Sequence, residues 1–124
     1  MIHGHGVDVT EIARIEESLA RFGDRFVART FCESEIAYCG AMASPAPHYA
    51  ARFAAKEAVA KAFGVGIGGQ VGWRDVEVVR DAEGRPSVRL HGPAQALAEA
   101  RGVTRVHLAL SHAGGCAWAS VILE

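Results

Sequence analysis

The stretch RFAAKEAVAKAFG, residues 52 to 64, constrains this chain more than any other. Alanine and other strong helix formers fill it, so local preference favours a helix before any tertiary contact forms. Gly64 follows the last helical residue and offers the left-handed turn that ends such a helix. Pro45 and Pro47 read as a break ahead of it, so the longest helix is predicted over 48–63. Its surface of Ala and Phe nevertheless carries Arg52, Lys56, Glu57 and Lys61. Glu57 and Lys61 stand four apart in the order that stabilises an isolated helix by about 0.2–0.5 kcal/mol. Arg52 and Lys56, also four apart, carry like charges and weaken it slightly. Solvent tolerates such a pair, and an anionic partner would equally explain it.

The remaining elements follow from periodicity and punctuation. Residues 2–9 read as a strand with two glycines, and 10–23 as a helix with Ile12, Ile15 and Leu19 on one face and Gly23 as its stop. Short helices are predicted over 24–31 and within 30–40. Residues 64–72 are too rich in glycine for anything but a loop. An alternating run over 73–81, a turn at Ala82-Glu83-Gly84 and a return over 85–92 make a hairpin. Pro93 opens a helix that Gly102 closes, and strands at 103–112 and 116–124 join at His112-Ala113-Gly114-Gly115. The order implies an α+β fold, with antiparallel strands, a long central helix and shorter helices packed on the sheet.

A chain of 124 residues has the size of one domain, 1–124, and buries roughly two-thirds of its unfolded surface. Half its residues are hydrophobic, so a core forms without staples. The net charge of −1 provides no general field for nucleic acid, so an anionic ligand must meet a local patch. Three cysteines without metal-type pairing are expected as thiols in a cytoplasmic protein. No apolar run approaches a membrane span, and the first residues are too short and polar for a secretion signal.

Two readings of Asp8 stand side by side. It ends an apolar strand three residues before Glu11, as in a capping box, with Thr10 as an alternative cap. A strand end also holds a carboxylate rigidly beside a pocket, and Mg²⁺ takes one or two such carboxylates with phosphates and water. Gly64, Gly66 and Gly69 satisfy G-x-G-x-x-G, but they end a helix where the dinucleotide fingerprint opens one. They remain either a helix exit or a loop that lets backbone approach a ligand. His112, at a strand end, can reach a ligand; His107, mid-strand, reads as packing. His3 and His5 share a strand face without a third metal ligand. Arg14 and Arg21 share one face of the first helix and Arg25 continues it, either as a solvated face or as a patch for an acidic helical protein.

GVDVTEIARIE (6–16), RFAAKEAVAKAFG (52–64) and LSHAGGCAWASVILE (110–124) together resemble the motifs of the holo-acyl-carrier-protein synthase family, small 4′-phosphopantetheinyl transferases. The resemblance runs from the first strand to the last residue. It implies transfer of the phosphopantetheine arm of coenzyme A to a serine of apo acyl carrier protein, in fatty acid synthesis, with release of adenosine 3′,5′-bisphosphate. By the same resemblance Asp8 and Glu57 hold Mg²⁺, Lys61 lies by the phosphates, and Arg52, Gly64, Gly66, Ser111 and His112 surround the nucleotide. Arg14, Arg21 and Arg25 would meet the carrier, and homotrimers with sites between subunits are implied. Glu57 is the first choice of base for the carrier serine and His112 the second. Val65 replaces the family's usual threonine, His5 is unusual in its strand, and Ser18 is a small carrier contact. A polyketide or peptide-synthase carrier, or a coenzyme A module without transfer, are the alternatives.

Overall fold

Two glycines decide how tightly this fold closes. In the computed structural model, which describes all 124 residues, strand β1 (Gly4–Glu11) crosses helix α4 (Pro45–Phe63). A Cβ on Gly4 would lie 2.0 Å from the Ala62 carbonyl oxygen, and one on Gly6 2.1 Å from that of Ala58. Only residues without side chains fit there. The alanines of α4 complete the same logic, since small residues on both partners bring strand and helix backbones together.

Between these elements run α1 (Ile12–Phe22), α2 (Asp24–Thr30) and α3 (Glu33–Gly40), all predicted. After α4 come β2 (Val76–Arg80), β3 (Pro86–Leu90), α5 (Gly92–Ala100), β4 (Val106–Ala113) and β5 (Cys116–Leu123). The α+β expectation holds. Strands β1, β5 and β4 form an antiparallel sheet with β5 central, and β2–β3 form a separate hairpin. Helix α4 covers one face of the sheet and buries Val59 and Phe63 against Val121 and Leu123. A second cluster gathers Ile15, Phe31, Tyr49 and Phe53. The opposite face of the sheet leaves Val7, Val9 and Trp118 about half exposed.

Several boundaries differ from the sequence reading for physical reasons. Helix α4 begins at Pro45, so the two prolines occupy its first turn, where their missing N–H groups have no intrahelical duty. Strand β1 pairs with β5 through Glu11↔Cys116, so Asp8 stays in the strand and α1 starts at Ile12 without a side-chain cap. The capping reading of Asp8 is therefore wrong. Trp73–Asp75 form a 3₁₀ turn ahead of β2, because the Asp75 carboxylate accepts the Gly72 N–H at 2.8 Å. Gly64 closes α4 as expected: φ is 76°, its N–H bonds Lys61 O at 2.9 Å, and the Val65 N–H bonds Ala60 O at 3.0 Å.

Arg52 and Lys56 are both buried, so the like-charged pair is not a solvated face. Lys56 is wholly enclosed and donates to Glu35 Oε1 at 2.8 Å, to the Trp73 carbonyl at 2.9 Å and to the Val76 carbonyl. Glu35 in turn accepts the N–H groups of Cys32 at 2.8 Å and Val78 at 2.9 Å. The anionic partner of Lys56 is thus internal, and it ties α3, α4 and β2 together.

Candidate active site

Beyond Gly6, the helix-facing positions of β1 become polar. Strand alternation points His5, Val7, Val9 and Glu11 to solvent and Gly4, Gly6, Asp8 and Thr10 toward α4. Asp8 thereby reaches the last two turns of that helix, where Glu57 and Lys61 stand one turn apart. The Lys61 ammonium lies 2.8 Å from Asp8 Oδ1, and the buried Thr10 hydroxyl donates to Asp8 Oδ2 at 3.2 Å. Lys61 therefore pairs across to the strand, and the intrahelical pair with Glu57 expected from spacing is replaced by it.

Electrostatics bind the three into one site. Burial, and then the charge of Asp8, push the Glu57 carboxyl above its ordinary range, while Lys61 and Arg14 pull it down. The hydrogen bond to Asp8 holds the Lys61 ammonium above its ordinary range. Two carboxylates and one ammonium leave the cluster one negative charge in excess, open at the end of α4 beside the exposed Gly64 and Gly66. No group of three or more His, Cys, Asp or Glu that could hold a metal is present anywhere in the chain, so His3 and His5 gather no ligand set and the site itself offers two carboxylates.

Arg52 belongs to a second group. Its guanidinium lies over the Tyr38 ring at 4.3 Å, donates to the His48 carbonyl at 3.4 Å, and leaves Nε buried without a partner. Arg80 lies over the same ring and donates to the Tyr38 hydroxyl at 2.6 Å. Both arginines line a hollow of about 200 Å³. Burial, then the charges of Arg52, His112 and Arg80, hold His48 below its ordinary pKa, which sets His112 near this group. Ser111 stands across from Trp118 and opens on the outer face of the sheet, away from α4. His107 is exposed, not packed, and its ring nitrogen lies 2.9 Å from Glu124.

The basic residues of the first helices lie on a third surface. Arg14 approaches the Phe53 ring at 5.8 Å and is close enough to act on Glu57. Arg21 pairs with Glu17 at 3.5 Å, both about two-thirds exposed, and Arg25 is exposed on α2. Ser18, Phe22, Phe26, Phe53 and Trp73 help to line a hollow of about 260 Å³ beside them. Sequence reasoning missed Thr10, Tyr38 and Arg80. Thr10 carried a signal, since it stands two residues after Asp8 on the same strand face; the other two meet Arg52 only through tertiary contact.

A model of the 4′-phosphopantetheinyl transferase superfamily matches residues 4–113. The holo-[acyl-carrier-protein] synthase of Koribacter versatilis is 49% identical over 124 residues, covering all of this chain and 99% of that protein. The crystal structure of holo-[acyl-carrier-protein] synthase from Neisseria meningitidis superposes with a TM-score of 0.92 at 35% identity, over 100% of this chain and 99% of that one. The Helicobacter pylori holo-[acyl-carrier-protein] synthase, solved in complex with coenzyme A, gives 0.86 at 30% identity over 97% of this chain and 99% of that one. On these similarities, over a cluster of two carboxylates and a lysine, the chain belongs to the 4′-phosphopantetheinyl transferase superfamily and is an enzyme of that class.

Proposed function

We propose that the whole chain, residues 1–124, is a holo-[acyl-carrier-protein] synthase that moves the phosphopantetheine arm of coenzyme A onto a serine of apo acyl carrier protein for fatty acid synthesis in the cytoplasm. The observation that carries this reading is the half-buried Glu57 carboxyl raised above its ordinary range beside Asp8, with the Lys61 ammonium at the rim. The relative crystallised with coenzyme A supports the choice of donor. No helix is long and apolar enough to cross a membrane.

The donor set fits Mg²⁺. A hard divalent ion is commonly held by one or two carboxylates, with substrate phosphates and water completing its shell, and Asp8 and Glu57 supply two. When bound there, Mg²⁺ would neutralise diphosphate charge and make the phosphorus more electrophilic. The protein's own groups do the rest. Glu57 is the residue placed to take the proton of the carrier serine. The serine oxygen forms a bond to the pantetheine-side phosphorus, the bond from that phosphorus to the bridging oxygen breaks, and adenosine 3′,5′-bisphosphate leaves with the electron pair. Lys61, held protonated, faces that departing charge. Arg52 supplies positive charge for the nucleotide end with His112 beside it, and the backbone of Gly64 and Gly66 allows close approach.

Arg14, Arg21 and Arg25, beside the aromatic hollow between α1 and α2, suit an acidic helical carrier with an apolar contact. The half-exposed Val7, Val9 and Trp118 suit assembly into a trimer through the open sheet face, which would bring Ser111 to a subunit boundary. Glu57→Gln keeps helix preference and removes the base. Mass spectrometry of an apo carrier incubated with coenzyme A and Mg²⁺ should register transfer reduced about a hundredfold or more. Near-normal transfer by that folded variant would take Glu57 out of the chemistry.

A further inference from the structure

Asp8 is already fully engaged by the protein. Its side chain is 13% exposed, Lys61 Nζ sits on Oδ1 and the Thr10 hydroxyl on Oδ2. Glu57, one turn before Lys61, is left without an ion-pair partner. Lys61 makes no second hydrogen bond, and its side chain is 52% exposed. An ammonium on a flexible four-carbon stem can leave one anion for another without moving the helix. Thr10, being rigid and buried, stays on Asp8 when it does.

We propose that Lys61 is the resident counter-ion of Asp8: it occupies the place of a divalent cation on that carboxylate and leaves it when the diphosphate of the substrate offers a second anion. This rests on the two-carboxylate reading above. While Lys61 is on Asp8 the cluster carries one excess negative charge, a weak trap for a cation. Once Lys61 turns to the diphosphate, two negative charges face the same position. Cation and diphosphate then bind cooperatively, each strengthening the other by the same factor. The free enzyme stays largely empty of metal, and the lysine arrives at the phosphates as the metal arrives at Asp8. One side chain serves in turn as placeholder and as phosphate ligand.

The test measures metal binding directly, with Mn²⁺ as probe and unbound Mn²⁺ read by electron paramagnetic resonance. Lys61→Met keeps side-chain length and helix preference and lies on the surface, so it should fold. Without coenzyme A, this variant should bind Mn²⁺ about tenfold more tightly than the unchanged protein, the modest end expected when one unit charge is lost beside a divalent ion near solvent. Adding coenzyme A should tighten Mn²⁺ binding more in the unchanged protein than in Lys61→Met. Equal or weaker binding by Lys61→Met without coenzyme A overturns the inference, as does equal tightening in both proteins. Glu57→Gln in the same assay separates the two ideas. Weakened Mn²⁺ binding there, with Lys61→Met unchanged, removes the counter-ion role and leaves the metal reading standing; undiminished binding removes both.

Discussion

Lys56 and Lys61 lie little more than one turn apart on α4 and do opposite work. Lys56 has no exposed surface and three oxygen acceptors, one of them the buried Glu35 carboxylate, which is itself saturated by two backbone N–H groups. Lys61 is half exposed, has a single acceptor, and belongs to a cluster whose charges do not cancel. A closed network of buried polar groups has nothing left to offer a ligand and specifies packing. An open, unbalanced one keeps capacity in reserve. The difference teaches where to look on an alanine-rich helix: of these two lysines the closed, fully paired one is structural and the open one is free for a ligand.

The largest expected effect breaks the closed side of this comparison. Lys56→Met removes the only cation facing Glu35 and should cost about 3–5 kcal/mol of unfolding free energy in urea denaturation. Replacing Glu35 by Met as well should recover only part of that, since the N–H groups of Cys32 and Val78 then lose their acceptor. Lys61→Met, by contrast, should stay within about 1 kcal/mol of the unchanged protein. If the two lysine variants unfold at the same urea concentration, the distinction between them is lost.

A smaller effect sharpens the open side. Glu57 is raised from the ordinary carboxylate value of 4.5, so the folded chain binds its proton more tightly than the unfolded chain does. Its ionisation therefore opposes folding. That opposition is absent well below 4.5, grows as pH rises toward the raised value, and is fully present above it. In metal-free buffer Glu57→Gln should accordingly melt at the same or a slightly higher temperature than the unchanged protein near neutrality, with the gain vanishing in mild acid. Partial exposure keeps the gain small. A lower melting temperature near neutrality would make Glu57 a packing residue like Lys56.

How much of this was legible before folding follows from the range of each interaction. Helix α4, the β2–β3 and β4–β5 hairpins and the Glu57–Lys61 spacing are local, and the sequence carries them within a few residues. The resemblance of the two stretches implied that Asp8 and Glu57 converge on a metal with Lys61 by the phosphates; the direct 2.8 Å pair of Lys61 with Asp8, 53 positions apart, was in neither the spacing nor the resemblance. What failed was local chemistry overruled by tertiary pairing. Asp8 looked like a cap because Glu11 stands three residues on, but β5 extends the strand through both. Lys56 looked like half of an unexplained basic pair because Glu35 is 21 residues away on another helix. Gly4 and Gly6 read only as two glycines in a strand, and the backbone of α4 explains them.

The smallest effect concerns the basic first helix, where Arg14 and Arg21 look equivalent in sequence and are not. Arg14 acts on Glu57 and stacks near Phe53, so reversing its charge perturbs the carboxylate as well as the surface. Arg21 touches neither. Its pair with Glu17 is long and well exposed, so breaking it costs the fold almost nothing. Arg21→Glu is therefore the cleaner probe of a docking surface for an acidic carrier. At low ionic strength it should raise KM for the carrier about two- to fivefold and leave KM for coenzyme A unchanged, and added salt should shrink the difference, because exposed charges are screened over roughly 10 Å at 0.1 M. A carrier KM that stays put at low salt would move the docking surface off this helix face, while a fall in kcat without a change in either KM would mean that Arg21 reaches the chemistry after all.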